Sequence, residues 1–211
     1  MSILLDFLFP RFCYSCGRPG AYLCPSCCLH LSPRPLSPSP PPFEGFLSLF
    51  PYTPPLTYAI KSLKFHFVTD SVSSLASLAL STLTSNYPNL VAYWQKHSFV
   101  ICPVPLHSRR LLWRGFNQSQ LLSSSLAPAL HLDHQPEILT RIRPSPPQST
   151  LASDSSIRTA NVQNSFVVTG PSPSNVILFD DVSTTGSTLI AAARAFPSST
   201  RLWGLVLASK S

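Results

Sequence analysis

Charged side chains are scarce in this chain. They make up 11% of its 211 residues, where about a quarter is usual. Acids are the scarcest: eight Asp and Glu stand against fifteen Lys and Arg, a formal net charge of +7. So few acids and so little charge exclude an acidic disordered tail and a coiled coil. Glycine is rare too, at seven residues, which excludes a collagen-like repeat. No apolar run approaches the roughly 18 residues that a spanning helix needs, so a multi-span membrane protein is excluded. No internal repeat is visible. The first ten residues, MSILLDFLFP, carry Asp6 and lack both an early Lys or Arg and a small-residue cleavage site. They make a poor signal peptide, and a cytoplasmic location without membrane insertion is expected.

What is present is apolar mass, proline and clustered cysteine. Apolar residues reach 44%. A chain of this length buries roughly 70% of the surface its unfolded form exposes, so a sizeable core is within reach. Proline counts 23 residues, about twice the ordinary share. The basic balance points to anionic partners: nucleic acid, phosphorylated small molecules or a membrane surface. Five of the six cysteines fall between positions 13 and 28. Cys13-x-x-Cys16 and Cys24-x-x-Cys27 offer four thiolates, the full tetrahedral set of a structural zinc site. Thiols that are not exported stay reduced, which disfavours disulfides. A unit this small cannot build an adequate core alone, and metal binding would stabilise it. Cys28 is an alternative to Cys27, in a C-x-x-x-C arrangement, and His30 is a weaker substitute. Cys102 lies in an apolar run and reads as a buried small hydrophobe.

Three segments are expected. Residues 1–31 form a Cys-rich zinc module. Residues 32–42, SPRPLSPSPPP, form a Pro/Ser-rich linker that is extended and cannot be helical. Residues 43–211 form the larger domain. Within it, 43–68 read as short strands and a turn, ending in the basic stretch Lys61 to His66. Residues 70–85 fit an amphipathic helix capped by Asp70 or Ser71. Residues 98–104, SFVICPV, suit a buried parallel strand. Residues 117–127 look helical, and Pro128 ends or kinks that helix. Residues 141–163 read as a mobile loop. Residues 175–179, NVILF, are the clearest strand, followed by a helix from about 187 to 196 and a last strand over 202–208. Strands that are apolar throughout, alternating with helices, argue for an α/β fold with a parallel sheet covered on both faces.

The strongest chemistry lies at Val176 to Thr188, VILFDDVSTTGST. A buried strand delivers Asp180 and Asp181 to its C-terminal end, where open α/β sheets bind ligands. Val182, Ser183, Thr184, Thr185, Gly186, Ser187 and Thr188 then supply hydroxyls and successive backbone N–H groups. Gly186 lets the backbone close on an anion with no Cβ in the way. A monophosphate fits such a turn. The two carboxylates stand where the 2′ and 3′ hydroxyls of a ribose would lie if its 5′-phosphate sat there. Neighbouring strand residues point opposite ways, so one Asp would touch the ribose and the other act through Mg²⁺-bound water or a backbone contact. A cation would also relieve the repulsion between two close carboxylates. No Lys follows the glycine, so this is not a Walker loop. Upstream, Arg109, Arg110 and Arg114 follow the prolines of P-V-P-L. They could hold a pyrophosphate, since Arg presents several donors to phosphate oxygens. A solvated basic turn is the plainer alternative.

The Val176–Thr188 segment resembles the phosphoribosyl pyrophosphate (PRPP) signature of type I phosphoribosyltransferases. The wider pattern resembles the ComF family of competence-associated, phosphoribosyltransferase-like proteins. Its pieces run in order: L-F-P-x-x-C-x-x-C and C-x-x-C, then S-L-K-F at Ser62 to Phe65, then P-V-P-L and R-x-x-x-R-G-F-N-Q from Arg110 to Gln118. Arg141, Arg143 and Gln148, then Arg158, Asn161 and Phe166, then D-D-V-x-T-T-G-x-T complete it. The resemblance implies a type I phosphoribosyltransferase-like fold behind a small four-cysteine zinc module. It implies PRPP as ligand, with Asp180 and Asp181 on the ribose and Mg²⁺ beside them. It also implies a role in uptake of single-stranded DNA, alongside a ComFA-like helicase and DprA.

Three functions compete. A PRPP-binding enzyme would displace pyrophosphate at ribose C1 on behalf of an acceptor base that the sequence does not identify. A non-catalytic module would bind single-stranded DNA through Lys61, Lys64, Arg109, Arg110, Arg114, Arg141 and Arg143, interleaved with Phe65, Phe67, Trp113 and Phe116; core packing is the competing reading of those aromatics. A scaffold would dock a partner protein through its zinc module. PRPP binding in the service of DNA uptake unites the first two.

Overall fold

The computed structural model describes residues 10–36, 38–143 and 165–210. Its centre is a five-stranded parallel sheet in the order β1-β7-β6-β2-β3. These strands are β1 Gly45–Pro51, β2 Val100–Pro103, β3 Asp133–His134, β6 Asn175–Ser183 and β7 Arg201–Ser209. Two further strands, β4 Leu139–Arg141 and β5 Phe166–Val168, pair antiparallel as a separate ribbon. The stretch expected as a loop over 141–163 thus begins at the end of β4, and from 144 onward it lies outside the described residues.

Central strands of a parallel sheet are covered on both faces and so read as apolar throughout. β6 and β7 do so. Ile177, Phe179, Leu205 and Leu207 enter one apolar cluster, while Val176, Leu178, Leu202 and Val206 enter the other. The first cluster is roofed by helices α2 Leu56–Phe65, α3 Ser71–Asn86, α4 Pro88–Lys96 and α6 Gln118–Ala129. The second packs under α7 Ser187–Ala193 and the β4–β5 ribbon. Helix α5, Ser108–Arg114, follows β2. This is the α/β architecture that the strand–helix alternation predicts.

Local differences have local causes. Residues 56–65 are a helix, not strand and turn. Leu56, Ala59, Ile60 and Leu63 recur at helical spacing, and each is fully buried. Tyr58 and Phe65, good strand formers, stand on the exposed side of the same helix. Helix α3 starts at Ser71 without a side-chain cap; the Ser71 hydroxyl donates instead to the Val68 carbonyl at 2.7 Å. Helix α4 is an addition to the elements expected from sequence; it buries Leu90, Val91 and Trp94. Pro128 sits in the last turn of α6, where the helix ends anyway.

The 32–42 segment holds no helix among its described residues, as its prolines require. It is strapped along β1. The Arg34 N–H donates to the Leu49 carbonyl at 3.0 Å, and the Tyr87 hydroxyl donates to the Arg34 carbonyl. The Ser39 hydroxyl donates to the Phe43 carbonyl at 2.9 Å. The Cys-rich segment carries a short helix, α1 Pro25–Cys28. Its Leu23 is part of the first apolar cluster, and Tyr14, Cys28 and Leu31 pack against that cluster.

Candidate functional site

β6 runs on past its apolar stretch and ends at Ser183, with Asp180 in register with Val206 and Val182 with Ala208. Both acids are therefore strand residues at the C-terminal edge of the sheet. Their surroundings differ. Asp180 lines a small cavity whose other walls are Val182 to Leu189. Its Oδ1 accepts the Ser119 hydroxyl at 2.7 Å and the Asp181 backbone N–H at 2.9 Å. Burial, and then the neighbouring Asp181 charge, push its pKa up to about 7 against the pull of Lys64 and these hydrogen bonds. Asp181 is 2% exposed and turned inward. Its Oδ2 meets Lys64 Nζ at 2.6 Å, and its Oδ1 accepts from Gln118 Nε2 at 3.3 Å. Burial lowers the Lys64 pKa, but the Asp181 charge outweighs it and holds that amine above its ordinary value.

The cavity in the turn has a volume of about 40 Å³. A single water needs roughly 10–15 Å³ on such a measure, so the space suits a compact anion rather than a sugar. Every residue predicted from Val182 to Thr188 lines it. Thr185 Oγ1 donates to Ser187 Oγ at 3.0 Å and accepts the Ser187 N–H at 3.4 Å, which fixes the crest of the turn. Gly186 has φ +73°, and a Cβ there would meet nothing nearer than Ile190 Cδ1 at 3.8 Å. The glycine is demanded by the backbone, not by lack of space.

The three predicted arginines part company. Arg109 and Arg110 are exposed on α5. Arg114 is buried: Nη1 donates to Gln118 Oε1 at 2.6 Å, and the guanidinium lies 5.7 Å from the centre of the Phe65 ring. A chain of contacts thus runs Arg114–Gln118–Asp181–Lys64. Asn117 closes the same corner, its Nδ2 donating to the Val104 carbonyl at 3.0 Å and its Oδ1 accepting the Ser119 N–H at 3.1 Å. Arg141 lies over Phe166 at 5.0 Å; burial and then Arg110 hold its pKa below the ordinary guanidinium value, while Asp180 works against them. No local pattern points to Lys64, Gln118 and Ser119 as partners of the acids: Lys64 lies in the S-L-K-F motif and among the residues expected on DNA, Gln118 ends R-x-x-x-R-G-F-N-Q, and Ser119 carries no signal. Gln148, Arg158 and Asn161 lie outside the described residues.

Lys64 and Arg114, two of the seven basic residues considered for DNA, are occupied internally. The aromatics go the other way. Phe65, Phe67 and Trp113 are 54%, 46% and 61% exposed, with Phe67 and Trp113 ring centres 5.8 Å apart. Phe116 is half-buried, its ring centre 6.3 Å from that of Phe67.

At the other end, Cys13, Cys16, Cys24 and Cys27 bring four sulfurs within 4.8 Å of one another. Zinc–sulfur bonds of about 2.3 Å make a tetrahedron whose edges are about 3.8 Å. The Cys16 and Cys24 sulfurs are 3.7 Å apart. The set fits a metal ion such as zinc, and it contains Cys27 rather than Cys28. Burial alone would raise the Cys13 thiol, but backbone N–H groups of Cys24, Cys16 and Ser15 outweigh it and bring it to about 6. Cys28 packs against the apolar cluster, and burial raises its pKa. Cys102 is fully buried in β2, which lifts its thiol to about 12.

No family model matches the chain. Individual proteins do. "DNA utilization protein YhgH" of Escherichia coli O157:H7 is 34% identical over 188 residues, spanning 86% of this chain and 81% of its own length. "Competence protein F" of Haemophilus influenzae is 28% identical over 190 residues, 86% of this chain and 76% of its own. "Competence protein ComFC" of Bacillus subtilis is 32% identical over 150 residues, 70% of this chain and 55% of its own. The chain belongs to the ComF family. A competence and DNA-utilization setting is therefore the frame in which this ComF site is read. Among the described residues, no helix is long and apolar enough to cross a membrane.

Proposed function

We propose that this ComF-family protein binds PRPP, or a related 5′-phosphoribosyl ligand, with Mg²⁺, and serves the uptake of single-stranded DNA. One observation carries the reading. Asp180 and the whole Val182–Thr188 turn enclose a single phosphate-sized cavity at the C-terminal edge of the central parallel strand. The turn holds the 5′-phosphate. Asp180, the acid that faces the cavity, meets the ribose hydroxyls or the metal, and Ser119 orients it. Asp181 acts from behind, as the anchor of Lys64 and Gln118. Mg²⁺, when bound, would neutralise the pyrophosphate and the Asp180 carboxylate together. Arg141, which feels the Asp180 charge, and Arg110, which interacts with Arg141, are the candidates for the pyrophosphate. Calorimetric titration with PRPP and MgCl₂ tests this. Binding that is lost in Asp180→Asn supports it; no binding to the wild-type protein rejects it. Release of pyrophosphate on adding a nucleobase would extend the reading to a phosphoribosyltransferase.

A second reading rests on the exposed Phe65, Phe67 and Trp113 beside Lys61, Arg109 and Arg110. Aromatic faces stack bases, and cations track the backbone. Anisotropy of a labelled oligo-dT should then fall with salt and weaken in Trp113→Ala. Salt-independent binding would contradict it. Association with a ComFA-like helicase or DprA is part of the same proposal, and pull-down from cells reads it out.

A further inference from the structure

The turn has a second, larger neighbour. A cavity of about 280 Å³ adjoins the phosphate cavity and shares Ser183, Thr185 and Gly186 with it. Its volume is close to the roughly 300 Å³ at which small-molecule sites begin. The Pro-rich strap forms one wall, through Arg34, Pro35, Pro38 and Pro40, and Phe43 and Phe46 form another. These two rings meet edge-on at 6.2 Å. Phe46 is seated on bare backbone: a Cβ on Gly204 would come within 2.5 Å of its Cδ2. The aromatic wall is therefore fixed in place. Ser48 of β1 and Ser209 of β7 line the sheet side.

Arg34 is the one cation among the described residues that line this mostly apolar space. The Arg34 backbone is pinned at both its N–H and its carbonyl. Among the described residues its guanidinium makes no ion pair. A half-buried guanidinium beside aromatic and proline walls selects a flat ring that offers it two adjacent acceptors. The O6/N7 edge of a 6-oxopurine has that pattern, whereas adenine sets an amino donor against the guanidinium's own donors.

We infer that the strap and Phe46 form a base compartment for a 6-oxopurine beside the phosphate cavity, with Arg34 reading the ring edge. This inference rests on the phosphoribosyl reading of the turn. It assigns Arg34, Pro35, Pro38 and Pro40 a part in ligand recognition that their composition does not suggest.

The test is calorimetry with ribose 5-phosphate, GMP and AMP, on the full-length protein and on Arg34→Ala and Arg34→Lys. Both variants keep the pinned backbone; thermal melts check that they stay folded. The expected result is GMP binding at least about tenfold tighter than ribose 5-phosphate and than AMP, the scale of one bidentate contact. In Arg34→Ala and in Arg34→Lys, which keeps charge but loses the fork, GMP should fall to the AMP level while ribose 5-phosphate is unchanged. Equal affinity for all three ligands, or a GMP preference that survives Arg34→Ala, overturns the compartment and leaves the phosphate site standing. Failure of ribose 5-phosphate, GMP and AMP alike to bind overturns both.

Discussion

Asp180 and Asp181 are consecutive in the chain and opposite in charge environment. Asp181 has a cation in contact at 2.6 Å. Asp180 has a hydroxyl, a backbone N–H and a neighbouring carboxylate, and its pKa rises from 3.8 to about 7. The sign of the pH effect follows. Between those two values the folded chain keeps a proton that the unfolded chain releases, so stability falls as pH rises through that window. Mg²⁺ favours the ionised acid. Affinity for PRPP with Mg²⁺ should therefore climb as pH passes about 7. Titration calorimetry at pH 6, 7 and 8 reads it; affinity that is flat in the wild type contradicts it. Lys64 gives a separate residue-scale expectation. Removing one partner of a buried pair strands the other, at a cost of about 3–5 kcal/mol. Lys64→Met should lose that much in urea denaturation. Adding Asp181→Asn should restore most of it, because the stranded charge is gone. Additive losses in the double variant would show that the pair is not the source.

At the scale of elements, the close pairing of β1 with β7 depends on a position that tolerates no side chain. Gly45 lies opposite Trp203 in the parallel register, and a Cβ on it would sit 2.2 Å from the indole. Gly45→Ala must push a buried ring aside, and overpacking of this kind costs about 1–3 kcal/mol. The urea midpoint should drop with the slope unchanged; an unchanged midpoint would mean that the strand edge yields freely. Elements differ in how far the sequence discloses them, for reasons of the same kind. β6 and its turn are legible because their determinants are contiguous: an apolar run, two acids, hydroxyls and one glycine at positive φ. Helix α2 is not, because strand-forming aromatics on its exposed face mask the buried Leu56–Ala59–Ile60–Leu63 stripe. The partners of the acids are hidden for a different reason. Lys64, Gln118 and Ser119 reach them across the fold, and no local pattern encodes a contact made by tertiary packing.

At the scale of the whole molecule, the question is how the cysteine cluster and the sheet share their stability. Four thiolates around one metal leave no open position, so a metal held there would contribute folding energy rather than chemistry. The cluster's own segment is not energetically separate. Leu23 belongs to the main apolar cluster, Tyr14, Cys28 and Leu31 lean on it, and Leu23, Pro25 and Cys28 face Ser74 and Leu78 of α3. Loss of the metal should therefore loosen contacts on the sheet domain as well. The purified protein is expected to hold one equivalent of zinc, measured by elemental analysis. Cys13→Ser should lose it, and Cys28→Ser should keep it. In a chain of this size each kcal/mol moves the melting temperature by about 2–4 °C. A shared core that forfeits about 2 kcal/mol should thus melt about 4–8 °C lower after chelation, in one displaced transition. Two separate transitions, with the main one unmoved, would show instead a module that folds by itself at the end of a tether.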